Sequence, residues 1–310
     1  MKCRVCRAPA AIDIRRHNAA FCRDHFLHHC EEQVRRAIDA HRMFEPSDRV
    51  LVAVSGGKDS LALWDMLTHA GYQADGLYLG LGIDEYSDTS LQYTRAYATD
   101  HRLTLREIDL RDDYGYRVPE AAAATRRAPC GACGLSKRHL FNSAAIEHGY
   151  DVVATGHNLD DEAAVLLGNV LRWDVGYLGR QQPVLPEAPG FVRKVKPLVR
   201  LSERETAAYC VLRGIEYQVE ECPMADGNRH LGYKEILNAI EARSPGTKAA
   251  FLFGFVERGH ARFAADAAGE RDELGACEVC GAPTTGAVCA FCRLRQQVSV
   301  KIGARPTSGA

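Results

Sequence analysis

The chain has 310 residues, of which 46% are hydrophobic and 25% are charged, and its formal net charge is −1. This length allows one large domain with appendages or two domains, and the composition is that of an ordinary globular protein. The balanced charge gives no global sign of nucleic-acid binding, since local basic clusters such as 193–196 are usual on solvated faces. No apolar stretch is long enough to cross a membrane and Met1-Lys2-Cys3-Arg4 is no signal peptide, so we expect a cytoplasmic protein without membrane contact.

The first 25 residues contain the motifs Cys3-x-x-Cys6 and Cys22-x-x-His25. Two residues between ligands allow a tight turn to place both on one metal, and two such turns complete a tetrahedron. We therefore predict a zinc finger over 1–30. Its ligands would be Cys3, Cys6, Cys22 and His25. The alternatives for the fourth ligand are His28, His29 and Cys30, and a redox-active cysteine pair is the alternative to zinc.

A helix is predicted over 26–45, where apolar residues recur at helical spacing, so that 31–48 would be a linker helix. The apolar run 50–54 then predicts a strand, which is followed by Ser-Gly-Gly-Lys-Asp-Ser at 55–60 and a helical pattern from Leu61. Two glycines let successive backbone N–H groups turn toward one anion, and the helix start and a lysine add positive charge. This stretch suits a polyphosphate, although its spacing is not that of the common ATP loop. A glycine turn without a ligand is the alternative.

Strands and helices alternate through the middle of the chain. Strands are predicted over 74–81, 103–110 and 151–155, and helices over 91–101, 135–148 and 162–172, with a polar turn over 82–88. This order predicts an α/β fold, a parallel sheet with helices on both faces. Ligands of such sheets bind at the carboxyl ends of the strands, which would bring Ala53, Ser55 and Leu79 to one crevice. There Asp160 or Asp161 could hold Mg²⁺ or orient a nucleophile, and capping of the next helix is the alternative for one of them.

In the rest of the chain we predict a loop with an alanine-rich part over 111–129 and a mobile surface segment over 174–200. A helix is predicted to start at Ser202, and a short strand is predicted over 215–219. Two helices fill 232–257 and are broken at Ser244-Pro245-Gly246. Two further cysteine pairs predict a second zinc finger over 274–295, before a frayed tail over 296–310. Its ligands would be Cys277, Cys280, Cys289 and Cys292. The left-over Cys30 and Cys210 are interpreted as small buried hydrophobes.

Cys130, Cys133 and Cys222 form a third cysteine set of unusual composition. A zinc site there would need a fourth ligand, such as His139 or His157. An iron–sulfur cluster held by three thiolates would leave one iron free to bind another group. A catalytic persulfide or disulfide pair without metal is the third possibility, because Cys130-x-x-Cys133 precedes a predicted helix whose dipole favours thiolate. The residues alone leave these three uses open.

The ordered motifs resemble the TtuA family of tRNA 2-thiouridine synthetases, which are relatives of the cytosolic wobble-uridine thiolases. Ser-Gly-Gly-Lys-Asp-Ser is similar to the PP-loop signature of the ATP-pyrophosphatase superfamily, whose members cleave ATP between its α and β phosphates. The resemblance covers nearly the whole chain. Its motifs, in chain order, are the CxxC…CxxH finger, SGGKDS, P-C-x-x-C-G-x-x-K-R, G-H-N-x-x-D, E-C-P and the double CxxC finger.

The resemblance implies a PP-loop catalytic domain of the adenine nucleotide alpha hydrolase-like type over 49–260, flanked by the two zinc fingers. It implies a 4Fe–4S cluster on Cys130, Cys133 and Cys222, and Lys137 and Asp161 as the catalytic pair. The implied ATP site consists of Ala53, Ser55, Gly57, Lys58, Asp59, Ser60, Leu79 and Gly156. In such enzymes ATP and Mg²⁺ adenylate the C2 oxygen of a tRNA uridine or ribothymidine. Sulfur then comes from the thiocarboxylate of a ubiquitin-like carrier protein, and the enzyme is a homodimer with two Zn²⁺ per chain.

Three alternatives to this function remain at the level of sequence. A tRNA cytidine thiolase of the PP-loop group also uses cluster cysteines, but its members usually lack flanking fingers. A PP-loop amide ligase with only structural zinc would not need the third cysteine set. An RNA-binding zinc scaffold with a degenerate PP-loop conflicts with the intact motif at 55–60. T-loop ribothymidine is the family's typical bacterial target, and the wobble uridine is the other candidate.

Overall fold

The protein is described by a computed structural model, which covers residues 1–225, 227, 229–269 and 274–302. The strands are β1 (Ile12–Ile14), β2 (Ala19–Phe21), β3 (Arg49–Val54), β4 (Gln73–Gly80), β5 (Leu105–Asp109), β6 (Val152–Thr155), β7 (Val184–Leu185), β8 (Arg193–Val195), β9 (Gly275–Ala276) and β10 (Pro283–Thr284). The helices up to residue 172 are α1 (Arg23–His41), α2 (Lys58–His69), α3 (Asp84–His101), α4 (Leu110–Tyr114), α5 (Val118–Thr125), α6 (Pro129–Glu147) and α7 (Leu159–Arg172). The later helices are α8 (Val175–Leu178), α9 (Glu203–Arg213), α10 (Arg229–Arg243), α11 (Thr247–Gly254), α12 (His260–Gly269) and α13 (Ala290–Ile302).

The central sheet has the strand order β5-β4-β3-β6-β8-β7. All neighbours pair in parallel except β7 and β8, which form an antiparallel edge. The two middle strands β3 and β6 are apolar and buried because helices cover both faces of the sheet, as is usual for parallel sheets. The predicted α/β fold with a mostly parallel sheet is confirmed.

Helix α2 is packed into the core beside the sheet through Trp64, which is fully buried. Its indole nitrogen donates to the Ala74 carbonyl at 2.9 Å. Its ring lies so close to Gly76 on β4 that a Cβ at that glycine would come within 2.6 Å of it. The residue type at 76 therefore sets how closely α2, and with it the PP-loop, approaches the sheet.

Both terminal cysteine-rich segments are docked on the central domain. The first consists of the hairpin β1–β2 and the start of α1, and Arg16 attaches it by an ion pair with Glu205 of α9 at 2.7 Å. Helix α1 begins at Arg23 and runs through the predicted finger boundary at 30 without interruption. The second consists of the hairpin β9–β10 and α13, whose apolar side packs on α5 and α6.

Two predictions about the second half of the chain are wrong. Residues 215–219 form no strand, because the Gln218 amide donates to the Gly56 carbonyl at 2.9 Å and ties this extended segment to the PP-loop instead of a sheet edge. The stretch 174–200 is not a surface segment throughout. It contains α8, β7 and β8, and Leu178 and Val195 are fully buried, because the sheet continues beyond β6.

Several smaller boundaries also differ from the predictions. The segment 111–129 contains α4 and α5, since Asp109 caps α4 with its carboxylate and Pro119 starts α5. The turn predicted over 82–88 is already helical from Asp84. The break between α10 and α11 and the burial of Cys30 and Cys210 are confirmed. Of the predicted frayed tail, 296–302 continue α13, and 303–310 lie outside the described residues. None of the helices described combines the length and apolar character required to cross a bilayer.

Candidate functional site

The PP-loop joins the end of β3 to the start of α2. Gly56 has φ +72°, and a Cβ there would collide with the backbone of Ser90, so only glycine fits this turn. Gly57 is the N-cap of α2 and leaves the first N–H groups of the helix exposed to a ligand. The hydroxyl of Ser60 fixes the loop by donating to the Gly57 carbonyl at 2.9 Å and accepting from the Ser55 amide at 3.0 Å. The loop is therefore shaped before any anion binds.

Lys58 and Asp59 stand at the first turn of α2. The Lys58 ammonium lies 2.8 Å from Glu203 and 3.2 Å from Asp59. Burial lowers the Lys58 pKa, but the two carboxylates outweigh this effect and raise it, so the side chain stays charged. Burial raises the pKa of Asp59, whose carboxylate accepts hydrogen bonds from Asn158 at 3.1 Å and from Thr206. Both residues thus connect the PP-loop to the starts of α7 and α9.

A cavity of about 550 Å³ lies at the carboxyl ends of β3, β4 and β6. Five of the predicted ATP-site residues line it: Ala53, Ser55, Ser60, Leu79 and Gly156. Gly56 and Gly57 complete the turn beside it, and Lys58 and Asp59 follow on α2. This position agrees with the expectation that ligands of a parallel sheet bind where its strands end.

The third cysteine set lines the same cavity as the PP-loop. Cys130 and Cys133 lie in the first turn of α6 rather than before it, and Cys222 comes from the segment between α9 and α10. Burial raises the pKa of Cys222, and the neighbouring thiolates of Cys133 and Cys130 raise it further. Lys137, one helical turn beyond Cys133, also lines the cavity, and its charge partly offsets this rise.

The donor set of this trio fits a group larger than one zinc ion. Sulfur atoms on a single zinc lie roughly 4 Å apart, because each Zn–S bond is about 2.3 Å long. In the part of the chain that the structure describes, the three sulfur atoms of this trio do not all lie within 4.8 Å of one another. Of the two histidines considered as fourth ligands, His139 stacks on Phe291, whereas His157 lines the cavity and bonds to Thr155 through its Nδ1 atom. Three thiolates around one cavity are instead the donors that an iron–sulfur cluster uses.

Asp161 is placed differently from Lys137. It lies at the start of α7, where one oxygen accepts from the Asn158 amide at 3.1 Å and the other pairs with Lys234 at 2.6 Å. It is not among the residues that line the cavity, so the structure does not bring the predicted catalytic pair into direct contact. Its neighbour Asp160 is buried and pairs with Lys248.

The four predicted ligands of the first finger converge. The Nδ1 atom of His25 lies 3.1 Å from the Cys22 sulfur and 3.7 Å from the Cys3 sulfur, and the Cys6 and Cys22 sulfurs are 3.7 Å apart. Backbone N–H groups lower the Cys3 pKa to about 6 against the opposing effect of burial. Of the alternative ligands, His29 is stacked on Phe21 and pairs with Glu205, away from the sulfurs.

The second finger has the same arrangement. Cys277, Cys280, Cys289 and Cys292 have their sulfurs within 4.8 Å of one another. The amide of Cys289 donates to the Cys277 sulfur at 3.2 Å, and such bonds lower the Cys277 pKa to about 6 although burial opposes them. Both sets therefore have the donor atoms and the spacing of a tetrahedral zinc site.

Two residues of the site had no functional signal in the sequence. Glu203 follows Ser202, where the sequence indicates only a helix start, and Lys234 is a single lysine within a predicted helix. Both reach the PP-loop region only through the packing of α9 and α10 around the start of α7. A third group, His17, His29 and Glu205, also has ligand atoms within 4.8 Å, but Glu205 already pairs with Arg16, which identifies it as a structural contact.

Sequence comparisons agree with this architecture. Residues 2–27 match the family described as "2-thiouridine synthetase TtuA, N-terminal LIM domain", and residues 27–226 match the PP-loop domain. A tRNA-5-methyluridine(54) 2-sulfurtransferase from Thermus thermophilus is 54% identical over 95% of this chain and 91% of its own length. An enzyme of the same name from Thermotoga maritima is 40% identical, covering 99% and 100% of the two chains.

One solved structure shares the fold over nearly the whole length. It is the U34-tRNA thiolase NcsA from Methanococcus maripaludis with its [4Fe-4S] cluster, at a TM-score of 0.79 and 24% identity, and the match covers 96% of each chain. At that identity the likeness establishes the fold alone. The family is established by the PP-loop match and by the relatives of much higher identity. The chain belongs to the TtuA family of 2-thiouridine synthetases, tRNA sulfurtransferases built on a PP-loop domain.

Proposed function

We propose that this chain thiolates C2 of the 5-methyluridine at position 54 of tRNA in the cytoplasm, using ATP. The observation that carries the proposal is one cavity lined both by the PP-loop and by Cys130, Cys133 and Cys222. Sulfur must reach the same carbon, C2, whose oxygen ATP activates. The ATP site and the sulfur site must therefore both face this carbon, and a shared cavity allows this. The choice of position 54 follows the names of the relatives at 54% and 40% identity.

The PP-loop would activate the uridine carbonyl, which is a poor electrophile. The C2 oxygen attacks the α-phosphorus of ATP, the bond to the bridging oxygen breaks, and pyrophosphate leaves with AMP now on O2. The exposed N–H groups at the start of α2 and the charge of Lys58 stabilise the negative charge that develops on pyrophosphate. A carboxylate near this loop, such as Asp59, is a suitable ligand for the accompanying Mg²⁺. Sulfur at the oxidation level of hydrosulfide then attacks C2, the bond between C2 and the adenylated oxygen breaks, AMP leaves with that oxygen, and the proton on sulfur is released.

Cys130, Cys133 and Cys222 would hold a 4Fe–4S cluster. When bound, the cluster would supply an iron without a protein ligand at which the incoming sulfur can be kept. The three thiolates provide the negative charge that such a cluster requires, and the partial burial of Cys133 and Cys222 limits access of water from their side. Lys137, on the same face of α6 as Cys133, would balance charge at the α-phosphate. Asp161 would accept a proton or bind the metal ion from the start of α7.

The two fingers would each bind one Zn²⁺ and hold the docked ends of the chain in place. Their basic side chains would add contacts to tRNA phosphates, which are sequence-independent and salt-sensitive. We further propose that the sulfur donor is a ubiquitin-like carrier with a C-terminal thiocarboxylate, and that the enzyme works as a homodimer.

The test is an anaerobic assay of wild type and Cys222→Ala with tRNA that contains 5-methyluridine at position 54. We expect about four irons and about two zincs per wild-type chain, and conversion of that nucleoside to its 2-thio form with release of AMP. Cys222→Ala should lose iron and activity but keep zinc, whereas Cys30→Ala, at a buried cysteine outside the cavity, should keep all three.

Each contrary result points to a specific alternative. Three zincs without iron would exclude the cluster. Release of AMP without thiolation, unchanged after replacement of all three cavity cysteines, would favour an amide ligase. Thiolation of a cytidine instead of position 54 would identify the cytidine thiolase, and tRNA binding without ATP binding would favour an RNA-binding scaffold.

A further inference from the structure

Charged side chains around the PP-loop form a closed ring. Lys58 contacts Glu203 at 2.8 Å, Glu203 contacts Lys234 at 3.1 Å, and Lys234 contacts Asp161 at 2.6 Å. Asn158 closes the ring, since its backbone amide donates to Asp161 and its side chain donates to Asp59, the neighbour of Lys58. The ring thus joins the starts of three helices, α2, α7 and α9, to one lysine of α10.

Glu203 occupies a special place in this ring because its two oxygens are divided between two lysines. Oε1 faces Lys58 and Oε2 faces Lys234. The Lys58 ammonium therefore has Glu203, together with Asp59, as its counter-ions within the protein. A triphosphate bound at the start of α2 needs the same ammonium as its counter-ion, so the carboxylate and the phosphate compete for it.

We propose that Glu203 is the counter-ion of Lys58 before nucleotide binds. When the phosphates of ATP bind at the PP-loop and pair with Lys58, Glu203 then pairs with Lys234 alone. Lys234 is then a positioning residue, which acts on the nucleotide through Glu203 and Lys58 rather than by direct contact. It lies on α10, beyond the residues 27–226 that match the PP-loop domain.

The position of Lys234 is fixed by the close packing of α10 on α7. Its neighbour Tyr233 contacts Gly168 of α7 so closely that a Cβ at 168 would come within 2.7 Å of the ring. Burial lowers the Lys234 pKa, but Asp161 and Glu203 outweigh it and raise the value well above that of a free lysine. A permanently charged ammonium between two carboxylates is what a counter-ion exchange requires.

A matched control is available at the start of α7. Lys196 pairs with Glu162 of α7 at 2.6 Å, and its side chain is 20% exposed, as is that of Lys234. Lys196 does not contact the ring. Lys196→Met therefore removes an ion pair of equal length from the start of α7 without changing the counter-ion of Lys58, although Glu162 is more buried than Asp161.

The experiment measures the affinity of the full-length protein for ATP with Mg²⁺ by calorimetry, without tRNA. Lys234→Met should weaken binding about ten-fold, since Glu203 then has only Lys58 as a partner. Glu203→Gln should tighten binding about three-fold, because the competing charge is gone. The double variant should bind like Glu203→Gln alone, and Lys196→Met like wild type.

Several results would overturn the inference. These are wild-type affinity in Lys234→Met, weaker binding by Glu203→Gln, or equal losses in Lys234→Met and Lys196→Met. If Lys234→Met does not fold, the sign of the Glu203→Gln effect decides. The inference rests on the proposed function in taking ATP as the ligand. Failure of wild type to bind ATP would overturn both, whereas normal thiolation by wild type with an unchanged Lys234→Met affinity would overturn the inference alone.

Discussion

Gly156 packs so closely against Ser60 that a Cβ at position 156 would lie 3.0 Å from the Ser60 backbone nitrogen. That nitrogen belongs to the first turn of α2, whose N–H groups face the predicted phosphates. The end of β6 therefore approaches the PP-loop as closely as a residue without a side chain permits. The spacing of the two loops, and so the width of the cavity between them, depends on this contact.

We expect Gly156→Val to weaken ATP binding by more than about ten-fold, because its branched side chain would push the loop after β6 away from α2. Gly156→Ala should have a smaller effect of the same sign. Gly254→Ala is the control, since a Cβ there meets nothing within 4 Å. Calorimetric titration with ATP measures all three, and unchanged affinity in Gly156→Val would contradict the assignment of this edge to the nucleotide.

The proposed role of Asp161 can be separated from its role as a helix-start residue. Asp161→Asn should lower kcat for thiolation by about 100-fold or more, as expected for loss of a proton acceptor or metal ligand, with little change in the KM for ATP. Asp174 caps α8 in a similar way, accepting from the Tyr177 amide at 3.2 Å, and Asp174→Asn should leave kcat unchanged. Full activity of Asp161→Asn would show that the carboxylate is not catalytic.

The first finger offers a direct comparison between two nearby histidines. We expect His25→Ala to reduce the zinc content from about two ions per chain to about one, because its Nδ1 atom faces the cysteine sulfurs. His28 is exposed, and His28→Ala should keep both ions. Native mass spectrometry reads the metal content of each variant. Retention of two zincs by His25→Ala would require another fourth ligand.

His139 links the cysteine helix α6 to the second finger by stacking on Phe291, with ring centroids 4.1 Å apart. Burial and the nearby Arg295 and Lys194 lower its pKa to about 4. A histidine with a lowered pKa stabilises the fold above its unfolded value, and this contribution is lost as the pH falls from about 6.5 toward 4. Acidification below neutrality should therefore weaken the docking of the second finger.

The measurement is urea unfolding of wild type and His139→Gln at pH 7.5 and 5.5. Between these values wild type should lose roughly 1 kcal/mol more stability than the variant, after allowance for partial solvent exposure of the ring. An equal loss in both proteins would show that His139 does not carry the pH dependence. Anaerobic conditions keep the thiols reduced throughout.

A buried ion pair holds α2 against its neighbours. Asp65 is fully buried and accepts from Tyr97 at 2.8 Å, from Tyr209 at 2.6 Å and from Arg213 at 2.9 Å. Asp65→Ala leaves these donors without their partner and should cost about 3–5 kcal/mol of stability. By contrast, Glu107→Ala breaks a surface pair with Arg95 and should cost less than about 1 kcal/mol. Similar unfolding midpoints for the two variants would contradict this difference.

Features that depend on local spacing were predictable from the order of the amino acids. Short intervals between cysteines and histidines predict which residues can reach one metal, and the structure brings both predicted sets of four together. The order of strands, glycine turns and helices predicts a parallel sheet with a phosphate loop, because each of these signals lies within a few neighbouring residues. The same holds for the break at Ser244-Pro245-Gly246 and for the burial of Cys30 and Cys210.

Features that depend on contacts between distant segments became visible only in the folded chain. The segment 215–219 has a strand-like composition, but its backbone pairs with Gly56 rather than with a sheet edge. Part of 174–200 has the composition of a surface loop, yet it extends the sheet through β7 and β8. Lys234 shows no motif at all. It reaches Asp161 and Glu203 because α10 packs on α7, and such packing energy depends on the whole chain rather than on any short stretch of it.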